Sequence, residues 1–278
     1  MSAARAALEA ALADVARGRL FAYLGPAVAA LGTSGVPASP GELSALLERA
    51  VRPPRRAAGN LWAVAQFIET RRFRRTAAGL VERAFAPSCD DNPLHRWLAA
   101  RRPPLVVDAW YHGGLIDAYA AGGTADWGRV QAVSRHDAPG EAFTRAHDGA
   151  GTACPAGPDP AWRSLLYQPH GVARAGSSFL LSDSDYVPVL TEIDIQTPIP
   201  VEVQARRRGR GALFLGCRFD DQMLRIFARQ IIKRSGGPHV AVIDGPLTRM
   251  EARFLEAQGI TRIDLDLAAV VDALPVPA

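Results

Sequence analysis

Three features predict one three-layer α/β domain built on a parallel sheet. Short apolar runs of strand length recur, amphipathic helical stretches separate them, and glycines close several of the runs. The 278 residues suffice for a single domain over 1–278 that needs no disulfide or metal staple. Apolar residues make up 48% and charged residues 22%, which excludes wholesale disorder.

The elements follow in order. Ala3 to Arg17 carries Leu8, Leu12 and Val15 at helical spacing and stops at Gly18. Glu9 and Asp14 interrupt its apolar face, so it reads as an amphipathic helix and not a secretory segment. Leu20–Leu24 is a buried strand ending in Gly25. After a loop over Gly32–Pro40, Ser39 and Pro40 open a helix at the cap and N1 positions. Helices near Asn60–Thr70, Phe73–Phe85 and Pro93–Ala100 complete a helical lobe over 40–102. Leu105–Ala109 is the second strand, and Gly113–Ala120 is a helix.

Residues 121–160, with Gly122-Gly123, Pro139-Gly140 and Gly157-Pro158-Asp159-Pro160, read as an irregular excursion holding one strand at Arg129–Ser134. Strands are expected at Ser164–Gln168 and Ser178–Leu181, then a helix from Ser182 or Ser184 toward Leu190. Pro198 and Pro200 precede a short helix ending in Arg206-Arg207-Arg208-Gly209. The clearest unit comes last: strand Ala212–Gly216, helix Asp220–Arg234, strand Val240–Ile243, helix Thr248–Ala257 and strand Ile260–Asp264. Right-handed crossovers then align the strand C-termini along one edge, where ligands bind.

Composition restricts partners and cofactors. Cys89, Cys154 and Cys217 form no C-x-x-C pair, so a four-cysteine zinc ribbon cannot be built and no metal site is expected. An odd, sparse cysteine count suits a reducing cytoplasm, and no stretch reaches membrane-span length. The net charge is only +4, and Lys233 is the sole lysine. The clusters Arg71/Arg72/Arg74/Arg75, Arg101/Arg102 and Arg206/Arg207/Arg208/Arg210 read as solvated helix ends, so a nucleic-acid partner is not expected.

Candidate chemistry lies at the strand ends. Gly25 and Gly216 allow close approach of a ligand, and a following helix offers N–H groups to a phosphate, although Pro26 has none to give. Asp108-Ala109-Trp110-Tyr111-His112-Gly113-Gly114 places a carboxylate, an indole, a phenol and an imidazole at the same edge. His170, in Gln168-Pro169-His170-Gly171, could serve there as base or hydrogen-bond partner.

Taken in order, these pieces resemble the sirtuin-like NAD-binding proteins of bacteria. Phe21 to Ala29, followed by Gly35-Val36-Pro37, is similar to the family's Gly-Ala-Gly segment and its Gly-Ile/Leu-Pro. Leu105 to His112 stands in place of Thr-Thr-Asn-Tyr-Asp, and Pro169-His170-Gly171 resembles the His-Gly motif. Ser182 to Tyr186 looks like Thr-x-x-Asp-Tyr, and Leu213 to Asp221 looks like Leu-Phe-Ile-Gly-Tyr-Ser-Leu-x-Asp. The stretch around Gly216–Arg229 is also similar to sirtuin-like proteins encoded near nitrogen-fixation genes, which carries no mechanism.

The resemblance implies a three-layer Rossmann-like fold without the zinc ribbon. It also implies a crevice for NAD or ADP-ribose lined by Gly25, Pro26, Ala27, Gly35, Asp108, Trp110, Tyr111, His112, Gly216 and Cys217, with His170 as the catalytic position. Several positions depart from the family pattern. Trp110 stands where the family has Asn, His112 where it has Asp, and Pro26 and Ala27 where it has Ala and Gly. An indole N–H only donates, and its bulk is expected to fill space that nicotinamide needs. The expected function is therefore a nucleotide-binding or protein-partner module with little or no NAD cleavage. The competing expectation is an active NAD hydrolase or deacylase using His170.

Overall fold

The computed structural model describes residues 2–33, 35–87, 91–137, 143–195 and 199–275. Cys89, Pro139, Gly140 and Pro198 of the sequence reading lie outside the described residues. Among the described residues the eight strands are β1 Leu20–Leu24, β2 Leu105–Asp108, β3 Trp127–Ala132, β4 Thr144–Asp148, β5 Ser164–Gln168, β6 Gly211–Leu215, β7 His239–Val242 and β8 Ile260–Ile263. They form one sheet in the order β4-β3-β5-β2-β1-β6-β7-β8. Every neighbouring pair is parallel except β3 and β4. This is the mostly parallel, helix-flanked, Rossmann-like sheet that the sequence predicts.

Alternation along the strands builds the layers. Ala22 and Leu24 of β1 share one apolar cluster with Val106, Leu213 and Leu215. That face is covered by α1 (Ala3–Ala16), α5 (Pro93–Arg101), α6 (Gly114–Ala121) and α11 (Leu267–Ala273) through Leu12, Leu98, Leu115 and Val270. Phe21 and Tyr23 point the other way, to Val107 and Phe214. The second face is covered by α8 (Val201–Arg207), α9 (Gln222–Ile232) and α10 (Arg249–Ala257) through Val203, Ile231 and Leu255.

A third cluster lies above the strand ends. Here α2 (Pro40–Ala50), α3 (Leu61–Arg72) and α4 (Arg74–Ala84) pack Leu43, Trp62, Ile68 and Val81 against Trp110, Phe179 and Tyr186, the last from α7 (Asp183–Ile195). Ser39, the expected cap, accepts from Glu42 N; Asn60 also accepts from Ala63 N, and Thr248 forms a capping box with Glu251.

Some elements differ from the sequence reading. Ser178–Leu181 is no strand. It makes one bridge, Gly171 to Phe179, because side chains take its carbonyls: Arg74 donates to Phe179 O and Tyr111 to Leu180 O. Residues 121–160 hold β4 as well as β3, and the segment around Cys154 folds back on β4, with Cys154 N donating to Ala146 O. The β4 sequence Thr-Arg-Ala-His-Asp lacks the apolar run that marks the inner strands. Pro26–Leu31 forms a 3₁₀ turn, and α11 was not anticipated.

Candidate functional site

Strand order creates a switch point between β1 and β6, because the chain leaves β1 toward β2 and returns on the other side at β6. A cleft of about 370 Å³ opens there, lined in part by Pro26, Ala27, Ser39, Gly216, Arg218 and Asp221. The two strand ends that bound it are bonded to each other. Gly25 N donates to Leu215 O at 2.8 Å, Ala27 N to Gly216 O at 3.1 Å, and Val28 N to Gly25 O at 3.2 Å.

A Cβ on Gly25 would sit 2.5 Å from Gly216 O and 2.7 Å from Cys217 Sγ. Gly216 has φ +65, and a Cβ there would lie 2.6 Å from Val28 N. Both glycines therefore serve the packing of one strand end against the other. The turn does not fit a pyrophosphate. Pro26 has no N–H, and those of Gly25, Ala27 and Val28 are already spent on carbonyls.

Arg218 is the cation of this cleft, and it too is engaged. Its Nε and Nη2 donate to Glu251 at 2.6 and 2.8 Å. Burial pushes the Glu251 carboxyl up, but Arg218 and the backbone donors of Thr248 and Phe219 outweigh it. Cys217 is buried, and desolvation pushes its thiol up, so it is no nucleophile. Gly35 has φ +65 and open space where a Cβ would go, so it is a surface turn residue.

The second group of candidates gathers at the ends of β2 and β5. Asp108 is buried and raised to about 7 by desolvation, which outweighs a long 3.5 Å hydrogen bond from Gln168 Nε2 and a backbone hydrogen bond from Trp110. Tyr111 donates to Leu180 O at 2.8 Å. His112 packs beside His95, with ring centroids 6.5 Å apart, and lines a separate cleft of about 440 Å³ with Phe85 and Arg174.

Trp110 does not fill the crevice, contrary to the sequence expectation. Its ring turns into the lobe core, edge-on to Phe85 at 5.8 Å, and its Nε1 donates to Pro37 O at 2.7 Å. The loop before α2 supplies that carbonyl acceptor, and a buried indole N–H needs one.

His170 is 1% exposed and enclosed by aromatic rings. Phe227 lies 4.5 Å away between centroids, Tyr186 5.8 Å, Tyr111 6.1 Å and Trp62 6.3 Å. Nδ1 shares a 2.8 Å hydrogen bond with the Tyr186 hydroxyl. Nε2 has no hydrogen-bond partner among the described residues. Desolvation lowers the imidazole to about 3, so it is neutral throughout the physiological range.

Thus Gly25, Trp110, His170 and Gly216 share one end of the sheet but not one cavity. The residue between them is Trp62, which the sequence reading passed over. Its ring stacks on His170 at an interplanar angle of 20°, and its Nε1 donates to both Asp221 oxygens at 3.2 and 3.1 Å. Asp221 also caps α9 and lines the 370 Å³ cleft, so Trp62 forms a wall between cleft and histidine. Nothing local in Asn60-Leu61-Trp62 announces this role, since Asp221 lies 159 positions away.

Among the described residues no group of three or more His, Cys, Asp or Glu is placed to hold a metal ion. No helix among them is long and apolar enough to cross a membrane. Compared with known protein families, residues 104–263 match the SIR2-like domain. No curated protein matches the chain.

Proposed function

The chain belongs to the SIR2-like domain family, and we propose that it is a degenerate member: a nucleotide-binding or regulatory module that cleaves NAD very slowly or not at all. The observation that carries this reading is the enclosure of His170 behind Trp62. A histidine that acts at a ribose must reach it within hydrogen-bond distance. Here its free nitrogen faces no solvent, and Trp62, held by Asp221, stands between it and the cleft.

The ligand class is that of NAD or ADP-ribose, by family membership, and it would enter the switch-point cleft. Without N–H donors at the 3₁₀ turn, its phosphates lose charge-assisted hydrogen bonds worth about 1.5–3 kcal/mol each. Binding is therefore expected to be weak. Titration of the full chain with NAD, NADH and ADP-ribose, followed by a nicotinamide-release assay on the same sample, tests both halves. We expect weak binding and no release above the buffer blank. Robust release, abolished by His170→Ala, would overturn the reading.

One observation favours the competing reading of an NAD hydrolase or deacylase. Trp110 leaves the crevice clear, and Asp108, with a carboxyl poised near neutrality, ends the strand beside that preceding His170. That reading requires Trp62 to swing away, so a Trp62→Ala variant that gains nicotinamide release would favour it.

A further inference from the structure

Net charge conceals how the basic residues are distributed. Between Pro40 and Phe85 nine arginines face four glutamates, so this segment alone exceeds the whole chain's +4. Four of the nine flank one aromatic residue, in Arg71-Arg72-Phe73-Arg74-Arg75, at the corner between α3 and α4. Phe73 is 82% exposed, against 38% for Leu46, the other exposed large apolar residue of the lobe.

Its backbone has φ 72 and ψ 150, a region that is essentially glycine-only. A buried aromatic can offset such strain by packing, but this one makes no ring contact among the described residues. Arg74 holds the corner in place by turning inward to Asp185 and Phe179 O. The nearest acids face inward as well: Glu69 takes Ser182, Ser184 and His136, and Asp185 takes Arg74 and Ser134. Arg71, Arg72 and Arg75 are exposed and have no ion pair with another described residue.

We propose that Arg71, Arg72, Phe73 and Arg75 form a docking site for single-stranded nucleic acid, with Phe73 stacking on a base and the arginines on phosphates. The chemistry favours this occupant over other polyanions. A duplex offers the phosphates but keeps its base faces stacked. An acidic polypeptide satisfies the guanidinium groups but leaves the exposed ring without a flat partner. An anionic membrane calls for an apolar stripe, and the lobe offers one strongly exposed ring. The site is remote in role from His170 and from the cleft, so it stands or falls independently of nucleotide binding there.

The test uses the full chain and a fluorescein-labelled, mixed-sequence single-stranded DNA 20-mer, read by anisotropy across a salt series. Three phosphate contacts predict a log K against log[salt] slope of about −2. Phe73→Gly should weaken binding roughly 5- to 100-fold, the worth of one stacked base. The same variant should melt no lower than wild type, because glycine suits that backbone. Triple charge reversal, R71E/R72E/R75E, should abolish binding and the salt slope. The proposal is overturned by absence of binding at low salt, or by unchanged affinity in Phe73→Gly. Equal competition by blunt duplex, polyglutamate or phosphatidylserine vesicles would overturn it too.

Discussion

The switch-point cleft and the His170 cage lie at the same end of one sheet and are built in opposite ways. The cleft is open and carries Arg218, Asp220 and Asp221, but its backbone donors and its one arginine are already committed to protein acceptors. The cage is closed and aromatic, and it leaves a histidine nitrogen with no hydrogen-bond partner among the described residues. In an active site of this kind the two would be continuous, with phosphates held at one end and the ribose presented to the histidine at the other. Here Trp62 and Asp221 separate them.

Removing the wall should have the largest effect. Trp62→Ala deletes a buried ring that touches His170 and Tyr186, and we expect a loss of about 3–5 kcal/mol in chemical denaturation. If the variant remains folded, water should reach His170, and its pKa should rise from about 3 toward the ordinary 6.5. A variant that unfolds at the wild-type midpoint would mean that Trp62 is not part of the packed wall.

A smaller, pH-dependent effect should separate Asp108 from the cage. Its folded-state pKa is raised by burial from 3.8 to about 7. Such a group costs the fold nothing below about pH 4 and destabilises it increasingly as pH rises through 7. Asp108→Asn should therefore match wild type at pH 4 and exceed it by about 2–4 kcal/mol at pH 8. Equal urea midpoints at both pH values would place Asp108 in contact with solvent. His170 has the opposite sign. With its pKa depressed, it stabilises the fold above about 6.5 and loses that contribution as pH falls toward 3.

How much of this was legible in the sequence depends on the range of the interactions. The inner strands announce themselves because a strand buried on both faces must be apolar at every position, as Leu20–Leu24 and Gly211–Leu215 are. The edge strand β4 was missed because an edge strand has no such requirement. The Ser39 cap is local and was readable.

The strand-end residues Gly25, Asp108, His170 and Gly216 could be placed on one edge by topology alone. Their separation into cleft and cage could not, because it depends on Trp62 reaching Asp221 from another layer. Trp110 was misjudged for the same reason: Pro37 O, which holds its indole, lies 73 positions away. Arg71 and Arg72 do end α3, as the sequence reading expects, but sequence gives no sign of Phe73's backbone conformation or exposure.

The central claim, that the histidine of this domain is walled off from solvent and ligand, is tested most directly by following the His170 imidazole by NMR in the intact chain. Its resonance should stay unshifted from pH 8 down to about 4.5. A His170 midpoint between 6 and 7 would show water in the cage and contradict the account (~6.5 being the value of an unburied histidine).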